Sequence, residues 1–329
     1  MKWLNYIYPT ISINLVSDLH FEFGGAEQLT AKITPGPNID VYVIAGDFFP
    51  SYFHWEESQY QKFFQSHNDK EKSTINALLE KRDKAKAYLD ALIKTQKHIV
   101  FIAGNHDAYD GTLEETDKFW REYAAKYNNF HYLNNDTVEI GDFKFIGCTL
   151  LSDVSKFNDI RQVNDFKKIK DWTLEQYQQT FQDNIVVLEK MLTDCRRERQ
   201  TAIVVSHHAP SFEHIAIWDK TNYLQTQLNV KTENLTVKEI INLSKKIPEN
   251  IKNTTLNALY ASVLTQLIKK HQPSLWCFGH IHKTLNYKIN KTHLCCNPRG
   301  YFPHQLNSAF NPKLIIKLQA KHFKLKNIL

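Results

Sequence analysis

This 329-residue chain predicts an α/β fold, a four-layer α/β/β/α sandwich in which two mixed sheets pack face to face and helices cover the outside. Three observations lead there. Short apolar runs of strand character alternate with longer helical segments, as in a sheet with crossover helices. Five of those runs end directly in a polar cluster. Two hairpin patterns and a late strand add antiparallel pairs to the parallel centre.

In chain order, Ile11-Ser-Ile-Asn-Leu-Val-Ser17 ends in Asp18-Leu-His20. Val41-Tyr-Val-Ile-Ala45 ends in Gly46-Asp47, and its β-branched and aromatic residues suit a strand buried on both faces. Helical character over Lys72 to Lys97 leads to His98-Ile-Val-Phe-Ile-Ala103 and then Gly104-Asn105-His106-Asp107. Leu113 to Lys126 reads as a short helix. Val138 to Gly147 places Gly141-Asp142 between alternating apolar positions, a hairpin signature. A helix over Trp172 to Arg197 precedes Ala202-Ile-Val-Val-Ser206 and His207-His208. Another over Leu256 to Lys270 precedes Leu275-Trp-Cys-Phe278 and Gly279-His280-Ile281-His282. Leu285 to Ile289 and Thr292 to Cys296, joined by Asn290-Lys291, form the second hairpin, and Lys313 to Leu318 is the last strand.

With 42% hydrophobic and 12% aromatic residues the chain can bury a substantial core, so disorder is excluded as the default. Its 41 Lys+Arg exceed 35 Asp+Glu by six, a mild excess that favours anionic substrates. The basic residues are scattered until Lys321-His322-Phe323-Lys324-Leu325-Lys326. No basic stripe with interleaved aromatics is available to track a nucleic-acid backbone, so a nucleic-acid partner is the weaker expectation, left open. Five cysteines without a C-x-x-C pair indicate neither a disulfide framework nor a thiolate zinc site, which fits a reducing compartment. No apolar stretch approaches the roughly 20 residues of a membrane span, and no continuous apolar region precedes Pro9. A cytoplasmic protein is expected, of open oligomeric state.

Ligands of an α/β sheet gather at the carboxyl ends of its strands, and all five polar clusters lie at such ends. A carboxylate can bridge two cations, imidazole offers a neutral nitrogen, and Asn105 adds an uncharged oxygen. Such a mixed set suits Mn, Fe or Zn better than Ca. Two such ions about 3.5–4 Å apart can activate a bridging hydroxide and hold phosphate oxygens. Any one of these Asp or His residues alone reads more simply as a cap or a turn. Their ordered recurrence after five strands carries the metal reading, and the absence of cysteine from the clusters excludes a structural zinc site.

Asp18-x-His20, Gly46-Asp47, Gly104-Asn105-His106-Asp107, Val205-Ser206-His207-His208-Ala209-Pro210 and Gly279-His280-x-His282 resemble the five motifs of the calcineurin-like metallophosphoesterases, in that family's order and across Ile11 to Tyr301. The resemblance implies a single metallophosphoesterase domain over residues 1–329, with insertions at about 51–97 and 212–255. It implies two divalent ions: Asp18, His20 and His282 on one, Asn105, His207 and His280 on the other, and Asp47 bridging both. His106 is implied as proton donor or transition-state stabiliser, with Asp107 orienting its imidazole. The family position calls for one histidine where this chain offers two. His207, directly after the strand, is the expected ligand and His208 the alternative.

Asn257-Ala-Leu-Tyr260-Ala-Ser262, Pro273-Ser-Leu-Trp276 and Asn297-Pro298-Arg299-Gly300-Tyr301 resemble a branch of small cytosolic predicted phosphohydrolases. That branch often ends its last metal motif Gly-His-Thr-His, whereas Ile281 here lacks the hydroxyl and a hydrogen bond it could give near the ligands. Residues 212–255 exceed the length expected there and are either a cap or a passive insertion. Arg299 is a candidate phosphate-binding cation, against a solvated turn residue, and His208 a candidate pocket residue. The aromatics from Tyr52 to Phe64 fit core packing better than base stacking. The expected activity is dinuclear hydrolysis of a phosphomonoester or phosphodiester of a small molecule by in-line attack of a metal-bridging hydroxide. The alternatives are a catalytically inactive scaffold of this fold that binds a protein partner, and a nuclease of the same superfamily.

Overall fold

Aliphatic residues at every second position of the first strand decide which of its faces is dry. The computed structural model of the protein describes residues 8–33, 39–55, 57–65, 68–154, 163–211 and 260–321. In chain order its strands are β1 (Thr10–Val16), β2 (Val41–Ala45), β3 (Ile99–Ile102), β4 (Phe130–Tyr132), β5 (Asp136–Ile140), β6 (Phe143–Cys148), β7 (Thr201–Ser206), β8 (Leu275–Phe278), β9 (Leu285–Ile289), β10 (Thr292–Cys296), β11 (Gly300–Tyr301), β12 (Gln305–Leu306) and β13 (Ile315–Gln319). The α-helices are α1 (Ala26–Thr30), α2 (Glu57–Gln65), α3 (Asp69–Thr95), α4 (Leu113–Ala124), α5 (Asp165–Lys168), α6 (Leu174–Arg197) and α7 (Thr265–His271).

Of the two large sheets one has the order β13-β1-β2-β3-β4 and the other β5-β6-β7-β8-β10-β9, both mixed, while β11 and β12 pair as a separate two-stranded ribbon. In the first, β1 to β4 run parallel and β13 is antiparallel to β1. In the second, β6, β7, β8 and β10 are parallel, with β5 and β9 as antiparallel hairpin partners at the two edges. The inner faces of both sheets meet in one apolar layer containing Ile11, Ile13, Val43, Val100, Phe145, Ile203, Val205 and Cys277. The alternate residues Tyr42, Ile44 and Phe101 face outward beneath α3 and α4, and Val204, Trp276 and Phe278 beneath α6 and α7. The period of two thus builds the α/β/β/α layering.

Helix α3 joins β2 to β3 and buries Ala85, Tyr88, Leu89 and Leu92, the i, i+3, i+4, i+7 stripe of a helix lying on a sheet. Its C-terminal half is therefore core, although the sequence places it within an insertion. Helices α4 and α6 both start with a capping box, Thr112 with Glu115 and Thr173 with Gln176, which satisfies backbone N–H groups at each start. The helix expected from Leu256 begins instead at Thr265, because Tyr260–Leu264 is not helical and Ala261 forms a bridge with Ala209. The candidate cap at 212–255 lies outside the described residues. Among the described residues, no helix is long and apolar enough to cross a membrane.

Candidate metal centre

The loops that follow β1, β2, β3, β7 and β8 are laced to one another across both sheets. The Asp18 N–H donates to the Gly46 carbonyl at 3.0 Å, that of His20 to Asp47 at 3.0 Å, and that of Gly279 to His207 at 2.9 Å. Asp18, His20, Asp47, His280 and His282 all have positive φ, between 45° and 69°. Each such non-glycine residue costs on the order of 1 kcal/mol, and strain of this kind collects where a site needs side chains turned inward. Gly46 (φ 85°) and Gly104 permit the closest approaches: a Cβ on Gly46 would land on the His207 ring, and one on Gly104 would sit 2.6 Å from the Asp47 nitrogen.

Two groups of side chains converge there and share Asp47. Asp18, His20, Asp47 and His282 each bring one donor atom within 4.8 Å of the others, and Asp47, His207 and His280 do the same. Within the first group His20 Nε2 lies 3.0 Å from His282 Nε2 and 3.4 Å from Asp47 Oδ2, and His282 Nε2 is 3.5 Å from Asp18 Oδ1. On the other side His207 Nε2 lies 3.2 Å from the same Asp47 Oδ2 and 3.1 Å from Asn105 Oδ1. The outer nitrogens are held from behind. His20 Nδ1 faces Glu22 Oε1 at 2.9 Å, and His207 Nδ1 faces the Ala45 carbonyl at 2.9 Å, so Nε2 of both rings points inward.

That donor set fits divalent cations. Nitrogen and oxygen donor atoms crowd together, Asp18 Oδ2 is buried without a hydrogen-bond partner among the described residues, and thiolates are absent from the cluster. The charges report the same crowding. Burial alone would raise the pKa of Asp47, but the charges of His207 and His106 hold it well below the usual carboxylate range. Burial likewise opposes the charge on His207 and His106. Asp47 overrides it in both, with Glu22 adding to the effect on His106, and each rises to about 9. Burial and the neighbouring His207 push His280 well below the ordinary imidazole value. A cation beside His207 would displace that proton, so metal uptake here is coupled to proton release.

His106 stacks on Tyr109 with ring centroids 4.1 Å apart, its backbone N–H donates to Asp47 Oδ1 at 2.9 Å, and its Nδ1 is 3.4 Å from Glu22 Oε1. Asp107 does not orient that imidazole. Its carboxylate accepts four backbone N–H bonds, from Asp47, Phe48, Phe49 and Gly104 at 2.7–3.1 Å, and so ties the β2 loop to the β3 loop. Arg299 is likewise engaged within the protein. It is 3% exposed, donates from Nη1 to the Leu19 and Gly24 carbonyls, and lies over the Phe21 and Phe302 rings, so its guanidinium secures the β1 loop and is not presented to a phosphate. His208 is 1% exposed and packs behind His280 with ring centroids 4.0 Å apart, a position that faces no substrate.

A cleft of about 350 Å³ opens over Asp47, Asn105, His106, His280 and His282, walled by Tyr109, Tyr260 and Tyr301. A separate cavity of about 300 Å³, lined by Asn14, Gln96, Lys32 and Lys313 among apolar and tyrosine side chains, shares no residue with it. The sequence reading missed Glu22, whose signal was its place two residues after His20, and also Asp165 and Tyr109, which no motif marks.

The profile of a family described as calcineurin-like phosphoesterase matches residues 11–284. "Uncharacterized protein L509" of Acanthamoeba polyphaga mimivirus is 24% identical over an alignment that spans 93% of this chain and 96% of that protein. Among solved structures, phosphopantetheinyl hydrolase from Mycobacterium tuberculosis is similar with a TM-score of 0.55 at 12% identity, over 91% of this chain and 94% of that one. At that identity the likeness is one of fold.

Proposed function

This chain belongs to the calcineurin-like phosphoesterase family, and from that premise we propose that it is a dinuclear metal-dependent phosphohydrolase that cleaves a phosphomonoester or phosphodiester of a small molecule. The observation that carries the reading is the sharing of Asp47 by two donor groups beneath one cleft. Asp18, His20 and His282 would hold one divalent ion, Asn105, His207 and His280 the other, with Asp47 between them. His207 takes this place over His208 because its Nε2 reaches Asp47 and Asn105. When bound, the two ions, Mn, Fe or Zn by the donor set, would supply the Lewis acidity that activates water and offsets phosphate charge.

The chain's own residues do the rest. Asp47 and Glu22 favour the charged form of His106, and with Nδ1 turned to Glu22 its Nε2 is the nitrogen left to serve a leaving-group oxygen. Tyr109, Tyr260 and Tyr301 narrow the cleft and strengthen the electrostatics within it by displacing water. All five cysteines are free and buried, which supports a reducing compartment and a cytoplasmic enzyme. The test is to reconstitute the protein separately with Mn, Fe, Co, Ni and Zn and to assay p-nitrophenyl phosphate beside bis-p-nitrophenyl phosphate. Turnover of at least one ester is expected, and turnover of neither with any metal would overturn the reading.

A further inference from the structure

Asn105 is an amide, and an amide offers a metal its oxygen only if the NH₂ end is held elsewhere. Both of its N–H donors are engaged. Nδ2 donates to Asp165 Oδ1 at 2.8 Å and to the Tyr109 hydroxyl at 3.2 Å, while that hydroxyl donates to the same Asp165 Oδ1 at 2.8 Å. These three groups are buried or nearly so, with Asp165 5% and Tyr109 8% exposed. Asn105 Oδ1 is thereby left facing His207 Nε2 at 3.1 Å. Turning the amide over would put its oxygen against the Asp165 carboxylate oxygen, two acceptors with no proton between them, which costs a buried hydrogen bond and adds repulsion.

Asp165 is itself fixed to the loop that carries Asn105. Around helix α5 the Asp110 N–H donates to the Lys168 carbonyl at 2.7 Å and the Lys170 N–H to that of Gly111 at 2.8 Å. Ile169 packs on Ala108 and Tyr109 in a small apolar cluster of its own. The helix is too short to hold its place by itself, so these contacts set the distance between the carboxylate and the amide.

We propose that Asp165, with Tyr109, is a positioning residue that locks the Asn105 amide with its oxygen toward the metal position formed by Asp47, His207 and His280, and acts on that position alone. The inference rests on the two-metal reading above. It is tested by calorimetric titration of the metal-free full chain with Mn(II), in the wild type and in Asp165→Ala, Asp165→Asn and Tyr109→Phe, with a thermal melt of each. The wild type is expected to take up two equivalents. Asp165→Ala should weaken one of them by about 10–100-fold, as losses of such supporting partners do, and leave the other within about threefold. Asp165→Asn keeps a carbonyl acceptor and should recover most of the loss, and Tyr109→Phe should fall between. Unchanged binding in Asp165→Ala beside a two-site wild type would overturn this inference alone. Equal weakening of both sites, or equal loss in the Ala and Asn variants, would do the same by showing a general structural role. A wild type that binds no Mn(II) would overturn the two-metal reading and this inference with it.

Discussion

Removing the His106 imidazole leaves its backbone N–H on Asp47 Oδ1, so His106→Ala deletes the proposed proton donor while the shared carboxylate keeps its support. Metal stoichiometry should stay at the wild-type value and kcat should fall by about 10²–10⁴-fold; loss of metal would make His106 a ligand instead. Asp107→Asn tests the other half of that pair. Each oxygen of Asp107 accepts two of the four backbone N–H bonds, so whichever oxygen becomes NH₂ is set against two inward donors; this should destabilise the fold by about 1–3 kcal/mol, read as a lower melting temperature, with the pH profile of turnover unmoved. A shifted pH profile at full stability would restore the orienting role that adjacency in sequence suggests. Adjacency misleads here because neighbours in a turn point apart, and the carboxylate beside the His106 ring comes from another loop, at Glu22. His54 carries a separate prediction. Burial beside Phe119 lowers its pKa from 6.5 to about 4, so below pH 6.5 the unfolded chain binds a proton that the folded one refuses. Its contribution is complete above pH 6.5 and lost progressively toward pH 4. Melting temperature should fall less between pH 7 and pH 5 in His54→Phe than in the wild type, and parallel curves would contradict the assignment.

Strands β2 and β8 have the limits their apolar runs suggest, and every strand that leads into a polar cluster was legible because burial on both faces demands a continuous apolar run. The short β4, the four-residue α5 and the late start of α7 were not, since their places depend on tertiary contacts such as the Ala209 to Ala261 bridge. The same limit explains the site. Motifs mark Asp18, His20, Asp47, Asn105, His207, His280 and His282, while Asp165 reaches Asn105 from a segment with no pattern. What the motifs do not display is the backbone that turns them inward, where Gly104 is critical. A methyl at that position would press on Asp47 and approach the His207 ring at 2.8 Å. Gly104→Ala should therefore lower both metal affinities at least tenfold and reduce the melting temperature; wild-type binding in this variant would show that the loops have room the structure does not give them.

Across the whole molecule, the apolar layer between the sheets holds the carboxyl ends of β1, β2 and β3 opposite those of β7 and β8, and the centre forms where the two sets of loops meet. One sheet supplies Asp18, His20, Asp47 and Asn105, and the other His207, His280 and His282. Neither sheet alone completes either of the two groups that share Asp47, so metal uptake there would report the sheet-to-sheet docking as well as the chemistry. Asp47 is the residue on which both groups depend, through Oδ2 at 3.4 Å from His20 and 3.2 Å from His207. The direct measurement is a calorimetric titration of metal-free wild type and Asp47→Asn with Mn(II). Two equivalents in the wild type, with both affinities lowered together in the variant, are predicted. A single equivalent in the wild type, or a variant in which only one site weakens, would contradict the shared carboxylate and the dinuclear centre built on it.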